Sequence, residues 1–214
     1  MATSTRQVAW PRSTAIPSSV VLAYHGCSTQ TAQTLLGGSE FLASEKPYDW
    51  LGHGVYFWEE DPVRAWQWAT ERPSTRESPS VVGAVISLGV CLDLTTQDGI
   101  QTVKSAHSGL KKFHKLTGQP LPVNGGRDFG LRRLDCAVIN HLHRAREKGT
   151  NQPRYQTVRA LFIEGRALYP KAGFHAKTHT QLCVRDNACI LGIFRIPQLH
   201  RESLGLPESL YDPS

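Results

Sequence analysis

Short apolar runs and amphipathic stripes divide this chain into strand-like and helix-like stretches. Val20 to Tyr24 is an unbroken apolar run of strand length and reads as a buried strand. Ala32, Leu35 and Leu36 then share one face of a short helix, with Ser28, Thr29 or Thr31 as its cap and Gly37-Gly38 as its stop. Glu40 to Leu51, with Pro47 and the Asp49-Trp50 pair, reads as loop. Asp61-Pro62 has the form of an N-cap and a first helical residue, opening a helix that runs to Ala69. Thr70 to Ser80 is rich in Pro, Ser and Arg and predicts a surface loop or a flap.

Val81 to Leu94 has strand character throughout, with Gly83 and Gly89 marking bulges. Two helical stripes follow. Ile100, Val103, His107, Leu110 and Phe113 form the first, with Asp98 as cap and Gly118 and Pro120 as stops. Leu131, Leu134, Val138 and Leu142 form the second, ended by Gly149. Strands return at Val158 to Glu164, Thr180 to Arg185 and Ala188 to Phe194, with Asp186-Asn187 as a hairpin turn. Strands and helices mix without a regular βαβ alternation, which predicts an α+β fold. No Gly-x-Gly-x-x-Gly follows a strand and no Walker lysine pattern is present, so a dinucleotide would not be held by a Rossmann fingerprint.

Length and composition narrow the picture. A chain of 214 residues fills one well-buried domain. No apolar run approaches the ~20 residues of a membrane span. Met1 to Ser19 is polar, carries Pro11 and Pro17, and lacks the apolar core of a signal peptide, which predicts a cytoplasmic protein. Five cysteines without metal-like spacing predict reduced, mostly buried thiols. The net charge of +6 suits a polyanionic partner, and equally a solvated surface. Arg127, Arg132, Arg133, Arg144, Arg146 and Lys148 cluster around the second stripe; Lys104, Lys111, Lys112 and Lys115 mark the first. That pattern is either the solvated face of a helical hairpin or a platform for nucleic-acid phosphates or a partner protein.

Two segments carry candidate chemistry, Tyr24-His25-Gly26 and Gly52-His53-Gly54-Val55-Tyr56-Phe57. Gly26 follows the strand and leaves its main chain open to a ligand. His25 offers a ring nitrogen to a hydroxyl. Tyr56 offers a flat ring for stacking, and Gly52 and Gly54 let its loop come close. Taken singly, each segment is an ordinary turn or a hairpin with core aromatics. Their order, with the Ala-rich stretch Ala65 to Ala69 and a late polar strand, is what points to a site.

Together the segments resemble the NAD-binding half of the ADP-ribosyltransferases related to diphtheria toxin and the poly(ADP-ribose) polymerases, over Val20 to Ala69 and more weakly over the last strands. The resemblance implies a split β-sheet with flanking helices, here with a helical hairpin inserted over 98–149. It divides the chain into a polar segment 1–19, a catalytic domain 20–200 and a tail 201–214. It makes His25 and Tyr56 the first two members of a His-Tyr-Glu triad. The third position falls on Gln181, which can hydrogen-bond a ribose hydroxyl but cannot act as a base. Arg64 stands where the polymerases have a serine on the carboxamide, and Gln67 where they have a second stacking tyrosine, so Trp66 or Trp68 is expected to substitute.

His179, two residues before Gln181 and on the same strand face, is the candidate acceptor-side base, with Glu164 a weaker one. Catalytic roles thus fall to His25, Tyr56, Gln181 and His179, and contacts to NAD to His25, Gly26, Ser28, Gly54, Tyr56 and Trp66. The implied activity is mono-ADP-ribosyl transfer from NAD to a macromolecule, nucleic acid before protein, in a toxin or phage-defence setting with an antitoxin partner. The alternatives are an NAD glycohydrolase and a catalytically silent module that binds NAD, ADP-ribose or RNA.

Overall fold

The computed structural model describes residues 19–126, 130–149, 153–208 and 210. Among these, seven strands and five α-helices follow one another as β1 (Val20–Ser28), α1 (Thr29–Leu36), β2 (Val55–Glu59), α2 (Pro62–Glu71), β3 (Pro79–Ser87), β4 (Cys91–Asp93), α3 (Gln97–Thr117), α4 (Arg133–Gly149), β5 (Thr157–Phe162), β6 (His179–Val184), β7 (Ile190–Phe194) and α5 (Gln198–Ser203). The fold is α+β, as expected. The predicted segment 1–19 falls, except for Ser19, outside the described residues.

The helix starts follow local chemistry. The Ser28 hydroxyl accepts from the Thr31 N–H and caps α1, and the Asp61 carboxylate accepts from the Arg64 N–H ahead of Pro62 in α2. In α3 the cap is Thr96, whose hydroxyl accepts from the Gly99 N–H. Asp98, the expected cap, instead sits in the first turn, where its charge still favours the helix N-terminus.

All strands lie in one mixed sheet of order β4-β5-β6-β2-β1-β3-β7, antiparallel except for β4 beside β5. The expected single strand Val81 to Leu94 is two strands, β4 at one end of this order and β3 next to the other end. The break falls at Leu88 to Val90, and Gly89 sits in it. Gly83 is not a bulge: the irregularity in the β3–β7 pairing falls between Val85 and Ile86. The Gly83 hydrogen is instead covered by the Phe194 ring, 2.3 Å from where a Cβ would stand. The predicted hairpin at Asp186-Asn187 is also absent. β6 pairs with β5 and β2, β7 pairs with β3, and Asp186 caps a 3-10 turn, Asn187–Cys189, between them. Gln156 ties the two crossings together. Its N–H donates to Val90, its C=O accepts from Arg185, and its side-chain amide donates to Asp186. Three residues link β3 to β4, so the chain passes in one short step from the β1–β3–β7 side of the sheet to β5.

A larger core joins the sheet to α1 and α2 through Ala23, Phe57, Ala65, Val82 and Leu182. A second core, with Leu51, Leu92, Ile139, Val158 and Phe162, lies on the side of the inserted helices. α3 and α4 pack on each other through Ala106, Leu110 and Val138, as the hairpin was expected to. The C-terminal segment is not a separate tail. Leu206 and Leu210 are buried in the larger core, and the Ser80 hydroxyl donates to the Leu210 carbonyl. The expected flap also ends early, because Pro79 and Ser80 already pair with β1. The five cysteines are free thiols, and burial pushes Cys27 and Cys183 up to about 12, which leaves them unreactive.

Candidate functional site

The site opens where β1 and β2 part. β1 pairs with β3 along its whole length, from Val20↔Ser87 to Ser28↔Pro79, but with β2 only at Ala23↔Glu59 and Tyr24↔Trp58. Main-chain bonds alternate along the strand. Ser19 and Thr29 bond on the β3 side, whereas the Leu22 carbonyl accepts from Glu60 on the β2 side. The same alternation turns the N–H and C=O of Gly26 toward β2, beyond the last paired residue. Gly26 is required there for a second reason. A Cβ would stand 2.3 Å from the Ala65 carbonyl oxygen, so the absence of one lets α2 rest on β1.

A cleft of about 350 Å³ fills the opening. It brings together His25, Gly54, Tyr56, His179 and Gln181 of the predicted residues, with Trp58, Arg64, Trp68 and Glu164. The register explains the grouping. Trp58 opposes Gln181, Tyr56 opposes Cys183, and Phe162 of β5 opposes His179, so all these side chains emerge on one face. Gly54 lies against β6, where a Cβ would meet the Cys183 sulfur at 2.5 Å and the Val184 carbonyl at 2.7 Å.

Three predicted residues stand apart from the cleft lining. Ser28 is taken up by the α1 cap, with its hydroxyl 2.9 Å from that of Thr31. Trp66 packs against the larger core; Trp68, two residues on and so on another side of α2, is the tryptophan in the cleft. Gly26 contributes only through its main chain.

The two site histidines share one protonation pattern. His25 Nδ1 is 2.8 Å from the Tyr56 carbonyl oxygen, and His179 Nδ1 is 2.7 Å from the Lys177 carbonyl oxygen. A carbonyl accepts only from an N–H, so Nδ1 carries the proton in each ring and the neutral Nε2 is a bare acceptor. Burial lowers both pKa values and keeps the rings neutral, outweighing those carbonyl bonds. The positive charge of Arg64 lowers His179 further. Tyr56 does not offer its hydroxyl. It donates to the Gly52 carbonyl at 2.6 Å and accepts from the Leu51 N–H at 2.8 Å, while burial raises its pKa well above the usual value. Its ring is what remains for a ligand.

A second set of groups lies at the β5–β6 end. Arg64, 5% exposed, donates through Nη2 of its guanidinium to Glu164 Oε2 at 2.8 Å. That oxygen is 3.8 Å from His179 Nδ1. Trp58 Nε1, Arg64 Nε and Nη1, His179 Nε2 and Gln181 Oε1 are buried without a hydrogen-bond partner among the described residues. Buried polar atoms are nearly always paired, so five of them around one cleft suit a polar ligand. Lys46 and Arg72 add positive charge to the rim, with Arg72 stacked 4.5 Å over the Trp68 ring. Trp58 is a buried member of the larger core as well as part of the cleft wall, and its place two residues after Tyr56 on β2 puts it on the same face.

No protein-family model matches the chain, and no solved structure matches it. The chain is similar to the uncharacterized protein MJ0359 of Methanocaldococcus jannaschii, at 26% identity over 186 residues, which covers 78% of this chain and 83% of that protein.

Proposed function

We propose that the cleft binds NAD and that the chain is a mono-ADP-ribosyltransferase acting on a macromolecule. The observation that carries this reading is the convergence of bare acceptors at His25 Nε2, His179 Nε2 and Gln181 Oε1 beside the Tyr56 ring. In this reading the Gly26 N–H and C=O hold the carboxamide in two bonds, and the Tyr56 ring stacks on the pyridine. His25 and Gln181 accept from the ribose hydroxyls. Lys46 and Arg72 lie beside the pyrophosphate. His179 takes the proton of the attacking group through Nε2.

Nucleic acid is the acceptor that the charge favours. Lys104, Lys111, Lys112 and Lys115 on α3, and Arg133, Arg144 and Lys148 on α4, are exposed. Two other cations of the predicted cluster are held internally. Arg132 sits 4.1 Å over Trp50 and pairs with Asp135, and Arg146 sits 3.7 Å over Tyr155 and donates to the Pro153 carbonyl. Arg127 lies outside the described residues. A toxin or phage-defence role, a cytoplasmic setting and an antitoxin partner belong to the reading through the family resemblance alone. Among the described residues no helix is long and apolar enough to cross a membrane.

Two other readings share the cleft. With water as the acceptor the same chemistry is NAD hydrolysis. The neutral amide at Gln181 favours a silent module that binds NAD, ADP-ribose or RNA without turnover. Labelled NAD incubated with the protein and a cell lysate separates the three. Label that survives proteinase but not nuclease supports transfer to nucleic acid, and label lost to proteinase supports transfer to protein. Free ADP-ribose alone supports the hydrolase, and intact NAD the silent module.

A further inference from the structure

We infer that Glu164 is the catalytic carboxylate of this cleft, moved from the third triad position on β6 to the end of the neighbouring strand β5. The inference rests on the reading of the cleft as an NAD site. Breaking the bond between pyridine and ribose places positive charge on C1′ and the ring oxygen, and a fixed negative charge beside them lowers the barrier. Gln181 has none to give. Two carboxylates line the cleft, Asp49 and Glu164. Asp49 is spent on its own loop: it accepts from the Ser44 hydroxyl at 3.0 Å and from the Lys46 N–H at 2.9 Å.

The sheet register places Glu164 correctly. Phe162, the last residue of β5, opposes His179, the first of β6, and Ala160 opposes Gln181. Glu164 lies two residues beyond Phe162 and shares that face, at the mouth of the same strand pair. Its side chain is held there by Arg64 through Oε2, which leaves Oε1 for a ligand. The ion pair does not cancel the effect, because its two ends are unequally placed. Both residues line the cleft, but the Arg64 side chain is 6% exposed and that of Glu164 31%, so the carboxylate is the more accessible end. The negative end of the pair therefore faces the substrate, and Arg64 fixes its orientation in advance.

The step balances without a further reagent. The C1′–N bond breaks with both electrons leaving on the nicotinamide nitrogen. The developing cation is faced by Glu164 Oε1. An acceptor hydroxyl or water then bonds to C1′, and its proton passes to His179 Nε2.

A relocation test decides the matter. Nicotinamide release and NAD binding by calorimetry are measured for wild type, Glu164→Gln, Glu164→Asp and the double variant Glu164→Gln/Gln181→Glu. Gln keeps an acceptor for Arg64, and urea unfolding checks that each variant is folded. The expected result is a fall in kcat of about 10²–10³-fold in Glu164→Gln with NAD affinity little changed. Glu164→Asp falls between, and the double variant regains activity because the charge has been returned to β6. A purely structural role for Glu164 predicts no such recovery. Glu164→Gln turning over at the wild-type rate overturns the inference and leaves the proposed function standing. Wild type that neither binds NAD nor releases nicotinamide overturns both.

Discussion

His25 donates its Nδ1 hydrogen to the main-chain carbonyl of Tyr56 across 2.8 Å, from the sixth residue of β1 to the second residue of β2. The bond stands where the register between these strands has ended, so a side chain replaces the ladder that would have closed the cleft. It also sets the tautomer of His25, leaving Nε2 as the basic nitrogen.

The Tyr56 hydroxyl serves the turn, and under the proposed function its ring serves NAD, so the two roles are separable by substitution. Tyr56→Phe leaves the Leu51 N–H and the Gly52 carbonyl without their partner and lowers unfolding free energy by about 1–3 kcal/mol. NAD affinity changes little in that variant and falls clearly in Tyr56→Ala. Urea unfolding and titration calorimetry measure the two effects, and equal NAD affinity in wild type and Tyr56→Ala removes the ring from the site.

Arg159 ties β5 to β2 and β4. It grips Glu59 in a fork, Nε at 2.6 Å and Nη2 at 3.0 Å, and reaches Asp93 at 3.2 Å. Glu59 is mostly buried, so Arg159→Met leaves its charge uncompensated, at a cost near the lower end of about 3–5 kcal/mol. Adding Glu59→Gln recovers part of that loss in the urea midpoint. No recovery shows that the fork is incidental.

His143 makes stability fall in acid. It is buried on α4 with neither ring nitrogen bonded among the described residues. Burial pushes its pKa down to about 3, helped by the positive charges of Arg185 and Arg146. The folded chain therefore refuses a proton that the unfolded chain takes up below its ordinary value of about 6.5. Between that pH and about 3, stability drops as pH drops. His25 and His179, also lowered, act in the same direction. His143→Leu has a shallower decline when urea midpoints are measured across this range; an unchanged decline assigns it to other groups.

The exposed lysines of α3 report on the acceptor. If they hold phosphates, single-stranded RNA binding weakens with salt, with a log–log slope of roughly −0.7 per contact. Lys111→Glu/Lys112→Glu then weakens binding and flattens the slope in fluorescence anisotropy. Binding that ignores both salt and the double substitution counts against a nucleic-acid acceptor.

Local signals in the sequence located most elements. Asp61-Pro62 and Ser28 are caps whose partners lie within three residues, so the helices they start are legible without the fold. Strand boundaries set by distant partners are not. Val81 to Leu94 is apolar enough to read as one strand, yet β3 and β4 find partners at opposite ends of the sheet, and the break lies in tertiary pairing. The same limit applies to the site. Tyr56, His179 and Gln181 were legible and do converge, because strand alternation and register put them on one face, whereas His25 points to the other face with Phe57 and lines the cleft only because β1 and β2 part beside it. Ser28 and Trp66 lie outside the cleft lining, since a hydroxyl at a helix start is claimed by the cap, as expected for Ser28, and a helix turns each residue to a different side. The Arg64–Glu164 pair joins residues a hundred positions apart, and no local pattern announces it.

The sheet order has a consequence for synthesis. β6 lies between β5 and β2, so His179 and Gln181 reach His25 only after nearly the whole chain has been made. A nascent chain still on the ribosome has β1, β2 and α2 but lacks one wall of the cleft. Under the proposed NAD-consuming activity, such a topology delays turnover until the polypeptide is nearly complete.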